Sequence, residues 1–136
     1  MELLCPAGNK ESLIAAINSG ADAVYLSGKK FGARAFAANF SDEELKEAIR
    51  IGKIYGVKIY VTMNTLVKEN EVDDFLNQVE FLYSNGVDAI FMQDFGMICL
   101  CLKKFPNLEI HASTQVHNVS KEEIDFLYNL GVKRVV

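Results

Sequence analysis

The stretch Gly20-Ala-Asp-Ala-Val-Tyr-Leu-Ser27 decides how this chain folds, because its pattern returns three times. It recurs as Gly56-Val-Lys-Ile-Tyr-Val-Thr-Met-Asn64, as Gly86-Val-Asp-Ala-Ile-Phe-Met-Gln-Asp94 and as Gly131-Val-Lys-Arg-Val-Val136. Each copy sets a glycine, then a polar residue, before a short β-branched or aromatic run. A glycine accepts the left-handed turn that ends a helix, and the run suits a buried strand. Each copy therefore reads as a helix-to-strand junction.

Working outward, the segments between the copies carry helical spacing and start signals. Asn9 is placed to cap a helix through Leu13, Ile14 and Ile17, and Ser41-Asp-Glu-Glu44 opens one through Leu45, Ala48 and Ile49. Asn70 is expected to cap a third, Asp94 a fourth over about 95–104 ending before Pro106, and Ser120 a fifth. Strands are expected near 2–7, 22–27, 57–62, 88–93, 108–113 and 132–136. Strict alternation of strand and helix implies a parallel α/β sheet with right-handed crossovers.

Side-chain alternation separates a closed barrel from an open doubly wound sheet. Val24, Leu26, Ile59, Val61, Met63, Ile90, Met92, Ile110 and Ala112 form an aliphatic set suited to packing under helices. The opposite set is Tyr25, Ser27, Tyr60, Thr62, Asn64, Phe91, Gln93, His111, Ser113 and Gln115. Its polarity rises toward the C-terminal end of each strand, as in a barrel interior opening onto a ligand site. A doubly wound sheet meets helices on both faces and is aliphatic on both. The expected fold is the first part of a TIM-like barrel, one domain over 1–136. Val135 and Val136 continue a strand without a turn or polar tail, so the sequence reads as the N-terminal part of a longer protein, truncated in its sixth strand.

Half of the 136 residues are hydrophobic, enough for a packed core. With 14 basic and 18 acidic residues the formal charge is −4, and no basic stripe suggests non-specific binding of nucleic acid. The three cysteines, Cys5, Cys99 and Cys101, read as reduced thiols of a cytoplasmic protein. No apolar run approaches the roughly 20 residues that span a bilayer, so no membrane partner is expected.

Four phrases then carry a resemblance: Glu2-Leu-Leu-Cys-Pro-Ala-Gly-Asn9, Gly20-Ala-Asp-Ala-Val-Tyr-Leu26, Phe31-Gly-Ala-Arg-Ala-Phe-Ala-Ala-Asn-Phe-Ser41 and Ile110-His-Ala-Ser-Thr-Gln115. In this order they resemble the N-terminal region of the collagenase-like peptidase family. The resemblance implies a TIM-like region followed by further sequence with cysteines able to hold an iron–sulfur centre. It also implies an enzyme, either a peptidase or a protein required for hydroxylating tRNA or rRNA bases or a quinone precursor. A prephenate-like anion or RNA would be its partner. Cys5 stands where the family more often has alanine, and a small buried residue suffices there.

Several residues are candidates for chemistry. Arg34, in a long loop from Gly28 to Phe40 with Lys29, Lys30 and Asn39, offers a planar fork for a carboxylate or phosphate, or is a surface residue. His111 faces the interior, as a catalytic group or a hydrogen-bonded core histidine; His117 reads as a loop residue. Asn64, Gln93, Ser113 and Gln115 would form a ring of uncharged hydrogen-bonding groups around one mouth with Ser27, Arg34 and His111. His111 and Arg34 are thus the catalytic candidates, and Ser27, Asn39, Asn64, Gln93, Ser113 and Gln115 the substrate-binding ones. Two histidines exclude a three-histidine metal site in this sequence, and no metal is expected. Tyr25, Tyr60 and Phe91 read as interior filling. Open edges on the first and sixth strands imply that the 136-residue chain alone self-associates.

Overall fold

The computed structural model describes residues 1–34 and 38–136. Strands β1 (Leu4–Pro6), β2 (Ala23–Ser27), β3 (Lys58–Met63), β4 (Ala89–Met92), β5 (Glu109–Ala112) and β6 (Arg134–Val135) alternate with helices. The helices are α1 (Lys10–Asn18), α2 (Asp42–Tyr55), α3 (Val72–Asn85), α4 (Phe95–Lys104) and α5 (Lys121–Leu130). Every neighbouring pair is parallel and the order in the sheet is β1-β2-β3-β4-β5-β6, a curled half-barrel with the helices outside it. β1 and β6 are shorter than expected, since among the described residues each pairs along one edge only.

The repeated phrase acts as anticipated, and its polar position adds a tie. Gly56, Gly86 and Gly131 take φ of 70°, 78° and 114° and end α2, α3 and α5, a conformation that a side chain would strain. In the copies that begin at Gly20 and Gly86 the polar position is an aspartate, which reaches across to the preceding strand. Leu3 donates its N–H to Asp22 Oδ2 at 2.6 Å, and Ile59 donates to Asp88 Oδ2 at 2.7 Å. Charge-assisted bonds of this kind hold the register where β2 and β4 begin.

Asn9, Ser41, Asp94 and Ser120 cap their helices as expected, three of them in reciprocal capping boxes. Asn70 does not cap the third. A 3-10 turn over Glu69–Glu71 precedes α3, and the Glu71 carboxylate accepts the Lys68 N–H at 2.9 Å. The turn starts the coil before Asn70, leaving that residue inside it.

The two faces of the sheet bury separate cores. Val24, Leu26, Ile59, Val61, Met63, Ile90, Met92, Ile110 and Ala112 pack under the helices with Leu45, Ile49, Phe75, Val79 and Ile98. Burying each such large aliphatic side chain contributes about 1.5–3 kcal/mol. A smaller inner cluster holds Ala23, Tyr60, Ala89 and Phe91, with Leu4 and Tyr25 against it.

The long β2–α2 loop is anchored at several points. Phe40 donates its N–H to Ser27 O at 2.9 Å, and Gly28 bridges Phe40. Phe31, at φ 60°, puts its ring 5.1 Å from that of Phe75, and Thr65 Oγ1 donates to its carbonyl at 3.3 Å. A Cβ on Gly32 would sit 2.1 Å from Ser27 Oγ, so any larger residue there would turn that hydroxyl out of its present position. The middle of this motif, Ala35-Phe36-Ala37, lies outside the described residues.

At the N-terminal end of the strands, inside the curl, Glu2 and Arg134 join the two edges of the sheet. Arg134 Nη2 donates to Glu2 Oε2 at 3.2 Å, Tyr60 Oη donates to the same oxygen at 3.0 Å, and the guanidinium lies 5.4 Å from the centre of the Tyr60 ring. The Arg134 hydrogen bonds hold the Glu2 carboxyl down at about 2, against the opposing effect of burial. Burial, then the Glu2 carboxylate, pushes the Tyr60 phenol up to about 12.

Because the folded Glu2 holds its proton less tightly than the unfolded one, its contribution is complete above about pH 4.5 and is lost as pH falls toward 2. Urea titrations across that window show the loss, on the order of 1 kcal/mol after solvent screening, and Glu2→Gln removes that part of the pH dependence. If the variant keeps the wild-type acid profile, the pair does not join the edges. Light scattering on the isolated 136-residue segment shows self-association at micromolar concentration; a stable monomer means that the strand edges are covered.

Candidate functional site

The C-terminal ends of parallel strands lie on one rim, and there the chain forms a cavity of about 360 Å³. Its floor is aromatic: Phe91 and Tyr25 meet edge to face with centroids 6.3 Å apart, and Leu4 and Pro6 complete one wall. Polar groups stand around the opening. Ser27 and Thr62 come from β2 and β3, Asn64 from just after β3, and Ser113, Thr114 and Gln115 from the turn after β5. Ala33, Arg34 and Asn39 come from the long loop.

Of the eight predicted site residues, six line this cavity: Ser27, Arg34, Asn39, Asn64, Ser113 and Gln115. Gln93 and His111 do not. Gln93 follows β4, is half-buried and stays out of the lining, beside Asp94, whose carboxylate accepts N–H groups from Met97 and Val67 at 3.1 Å each. His111 points inward as its parity requires but lies a layer below the mouth. Its ring centroid is 4.9 Å from Tyr60 and 5.1 Å from Phe91, and none of the residue is exposed. The cavity floor therefore stands between His111 and any ligand, which corrects the expectation that it shares the mouth. His117 is an exposed loop residue at φ 60°.

His111 Nε2 lies 2.7 Å from Glu109 Oε1, so with that carboxylate ionised Nε2 carries the proton and Nδ1 is bare. Burial pulls the His111 pKa down while Glu109 opposes it. This places a neutral imidazole beneath the floor, with Nδ1 lacking a partner among the described residues. Sequence reading passed over the groups around it, Glu2, Glu109 and Arg134. The signal was available: Arg134 stands opposite His111 in the ladder and so shares its face.

The rim is wired through Asn64. Its Oδ1 accepts the Ala33 N–H at 3.0 Å and its Nδ2 donates to Ser113 Oγ at 3.1 Å, linking the Arg34 loop to the end of β5. Asn39 Nδ2 donates to the Arg34 carbonyl at 2.9 Å. Arg34 is exposed at the edge. The arrangement offers a guanidinium, several hydroxyls and amides, and an aromatic floor, suited to a planar polar group carrying or adjoining an anion.

Among the described residues no group of three His, Cys, Asp or Glu side chains gathers to hold a metal. Cys101 is buried and its thiol is pushed up to about 12, and Cys5 and Cys99 lie on β1 and α4. These cysteines do not fit an iron–sulfur centre. Among the described residues no helix is long and apolar enough to cross a membrane.

This geometry has relatives. The chain is 38% identical over 99% of its length to tRNA hydroxylation protein P1 of Bacillus subtilis (strain 168), and 39% identical over its whole length to the 23S rRNA 5-hydroxycytidine C2501 synthase of Escherichia coli (strain K12). It spans 32% and 20% of those proteins. In fold it is similar to the solved U32 peptidase Mk0906, with a TM-score of 0.78 and 11% identity, over 99% of this chain and 57% of that one. The half-barrel fold is shared with that structure, and since the model of peptidase family U32 matches residues 8–136, the chain belongs to that family.

Proposed function

We propose that the protein carrying this segment hydroxylates bases of tRNA or rRNA, and that the half-barrel supplies the pocket for the substrate. The observation that carries this reading is the cavity, with an aromatic floor under uncharged hydrogen-bonding groups and one guanidinium at the edge. A base is planar and edged with donors and acceptors, and its phosphate or an anionic co-substrate such as a prephenate-like dicarboxylate suits Arg34. The names of the two relatives aligned over almost the whole chain support the reaction type.

In this reading Arg34 binds the anion, and Ser27, Asn39, Asn64, Ser113 and Gln115 orient the ligand. His111 supports the floor from below. Any iron–sulfur centre has its cysteine ligands outside the described residues, and this segment's part is binding and orientation. For peptide hydrolysis, His111 is engaged by Glu109 below the floor and the Cys101 thiol stays protonated. No observation on the rim favours that alternative, or a purely ligand-holding subunit, over base hydroxylation.

Mass spectrometry of RNA nucleosides from a deletion strain tests the reading. The deletion loses a hydroxylated nucleoside and the full-length gene restores it. Arg34→Ala lowers the restored product ten- to a hundredfold, the scale of one lost charge-assisted contact, while Glu43→Ala on the exposed face of α2 leaves it unchanged. Gly32→Ala, which drives a methyl into Ser27 Oγ, also lowers it. Unchanged hydroxynucleosides in the deletion strain, with peptide cleavage by the purified protein, would establish the peptidase alternative instead.

A further inference from the structure

The hydrogen bonds on the rim determine the polarity of one group in the cavity. The Ala33 backbone N–H can only donate, so the Asn64 atom 3.0 Å from it is the amide oxygen. That leaves Asn64 Nδ2, which can only donate, 3.1 Å from Ser113 Oγ. A second obligate donor, the Gln115 backbone N–H, lies 3.4 Å from the same oxygen. A hydroxyl has two lone pairs and one proton. With both lone pairs facing donors, the Ser113 O–H has to donate elsewhere, and among the described residues nothing accepts it. Ser113 is 4% exposed and lines the cavity, so its proton meets whatever the cavity contains.

We propose that Ser113 donates its hydroxyl proton to a carbonyl oxygen of a pyrimidine base held in the cavity, the base class of the cytidine in the name of the 23S rRNA relative, and that Asn64 is the positioning residue that makes it a donor. This rests on reading the cavity as a nucleobase pocket. A buried donor left without an acceptor costs free energy, which is recovered when a carbonyl arrives. A ligand presenting an N–H there meets a second donor and is rejected, so this contact discriminates between ring edges. Asn64 is suited to the task because its two amide atoms differ. Its oxygen holds the loop that carries Arg34 while its nitrogen sets the polarity of Ser113.

Two substitutions separate these roles. Ser113→Ala removes the donor. Asn64→Asp keeps an acceptor for the Ala33 N–H but, ionised at pH 8, takes the Ser113 proton for itself. The full-length protein and both single and double variants are titrated with cytidine and uridine 5′-monophosphate, with Tm measured alongside, and are assayed for KM and kcat of RNA hydroxylation. Each single variant raises Kd and KM about tenfold at unchanged Tm, and the double variant matches either single. Wild-type affinity in Ser113→Ala overturns the proposal, as do losses that multiply in the double variant or that only follow a fall in Tm. If neither nucleotide binds the wild type, the proposal is likewise lost. Nucleotide binding that shows the cycle in a protein without hydroxylation sinks the functional reading alone, while hydroxylation indifferent to Ser113 sinks this inference alone.

Discussion

Parallel strands in register project alternate side chains to opposite layers, and the rest of this structure depends on that constraint. One layer must be dry and aliphatic because helices cover it; the other faces the inside of a curl and has room for aromatic and polar groups. Tyr25, Tyr60, Phe91, His111 and Arg134 share the inner face by parity, and Val24, Ile59, Ile90, Ile110 and Val135 beside them in sequence lie in the outer layer. The same constraint collects the C-terminal strand ends on one rim, so Ser27, Asn64 and Ser113 meet although they are far apart in the chain.

The inner layer is graded along the barrel axis. At its N-terminal end Glu2, Tyr60 and Arg134 form a charged group with direct hydrogen bonds, partly open to solvent. In the middle His111, Tyr60 and Phe91 pack edge to face, which suits the quadrupoles of aromatic rings. At the C-terminal end the layer gives way to the cavity. The ion pair and the rim therefore sit at opposite ends of one packed column, and the aromatic floor separates their solvent.

The long loop is an irregular segment that supplies part of the rim, and its described residues are held by contacts rather than by regular structure. Phe31 in a left-handed conformation costs about 1–2 kcal/mol, offset by its packing on Phe75 and by the bonds to Thr65 and, through Ala33, to Asn64. Gly32 lets this backbone pass against Ser27.

Much of the architecture was legible from local chemistry. The repeated glycine phrase, the capping residues Asn9, Ser41, Asp94 and Ser120, and the parity split each depend on near neighbours in the chain, so sequence alone determined the parallel sheet, the two faces and six of the residues that line the cavity. Asn70 failed as a cap because a 3-10 turn displaced the start of the helix, a choice settled by a carboxylate one residue further on. What only the tertiary structure decided was depth and partnership. Parity says that His111 points inward but not how far below the rim it stops, because that depends on where its strand sits along the barrel axis. The pairing of Glu2 with Arg134, and the donors from Asn64 and Gln115 that converge on Ser113 Oγ, join residues far apart in the chain. Hydrogen bonds fix such polarity by direction and distance in space, which a linear order of residues does not contain.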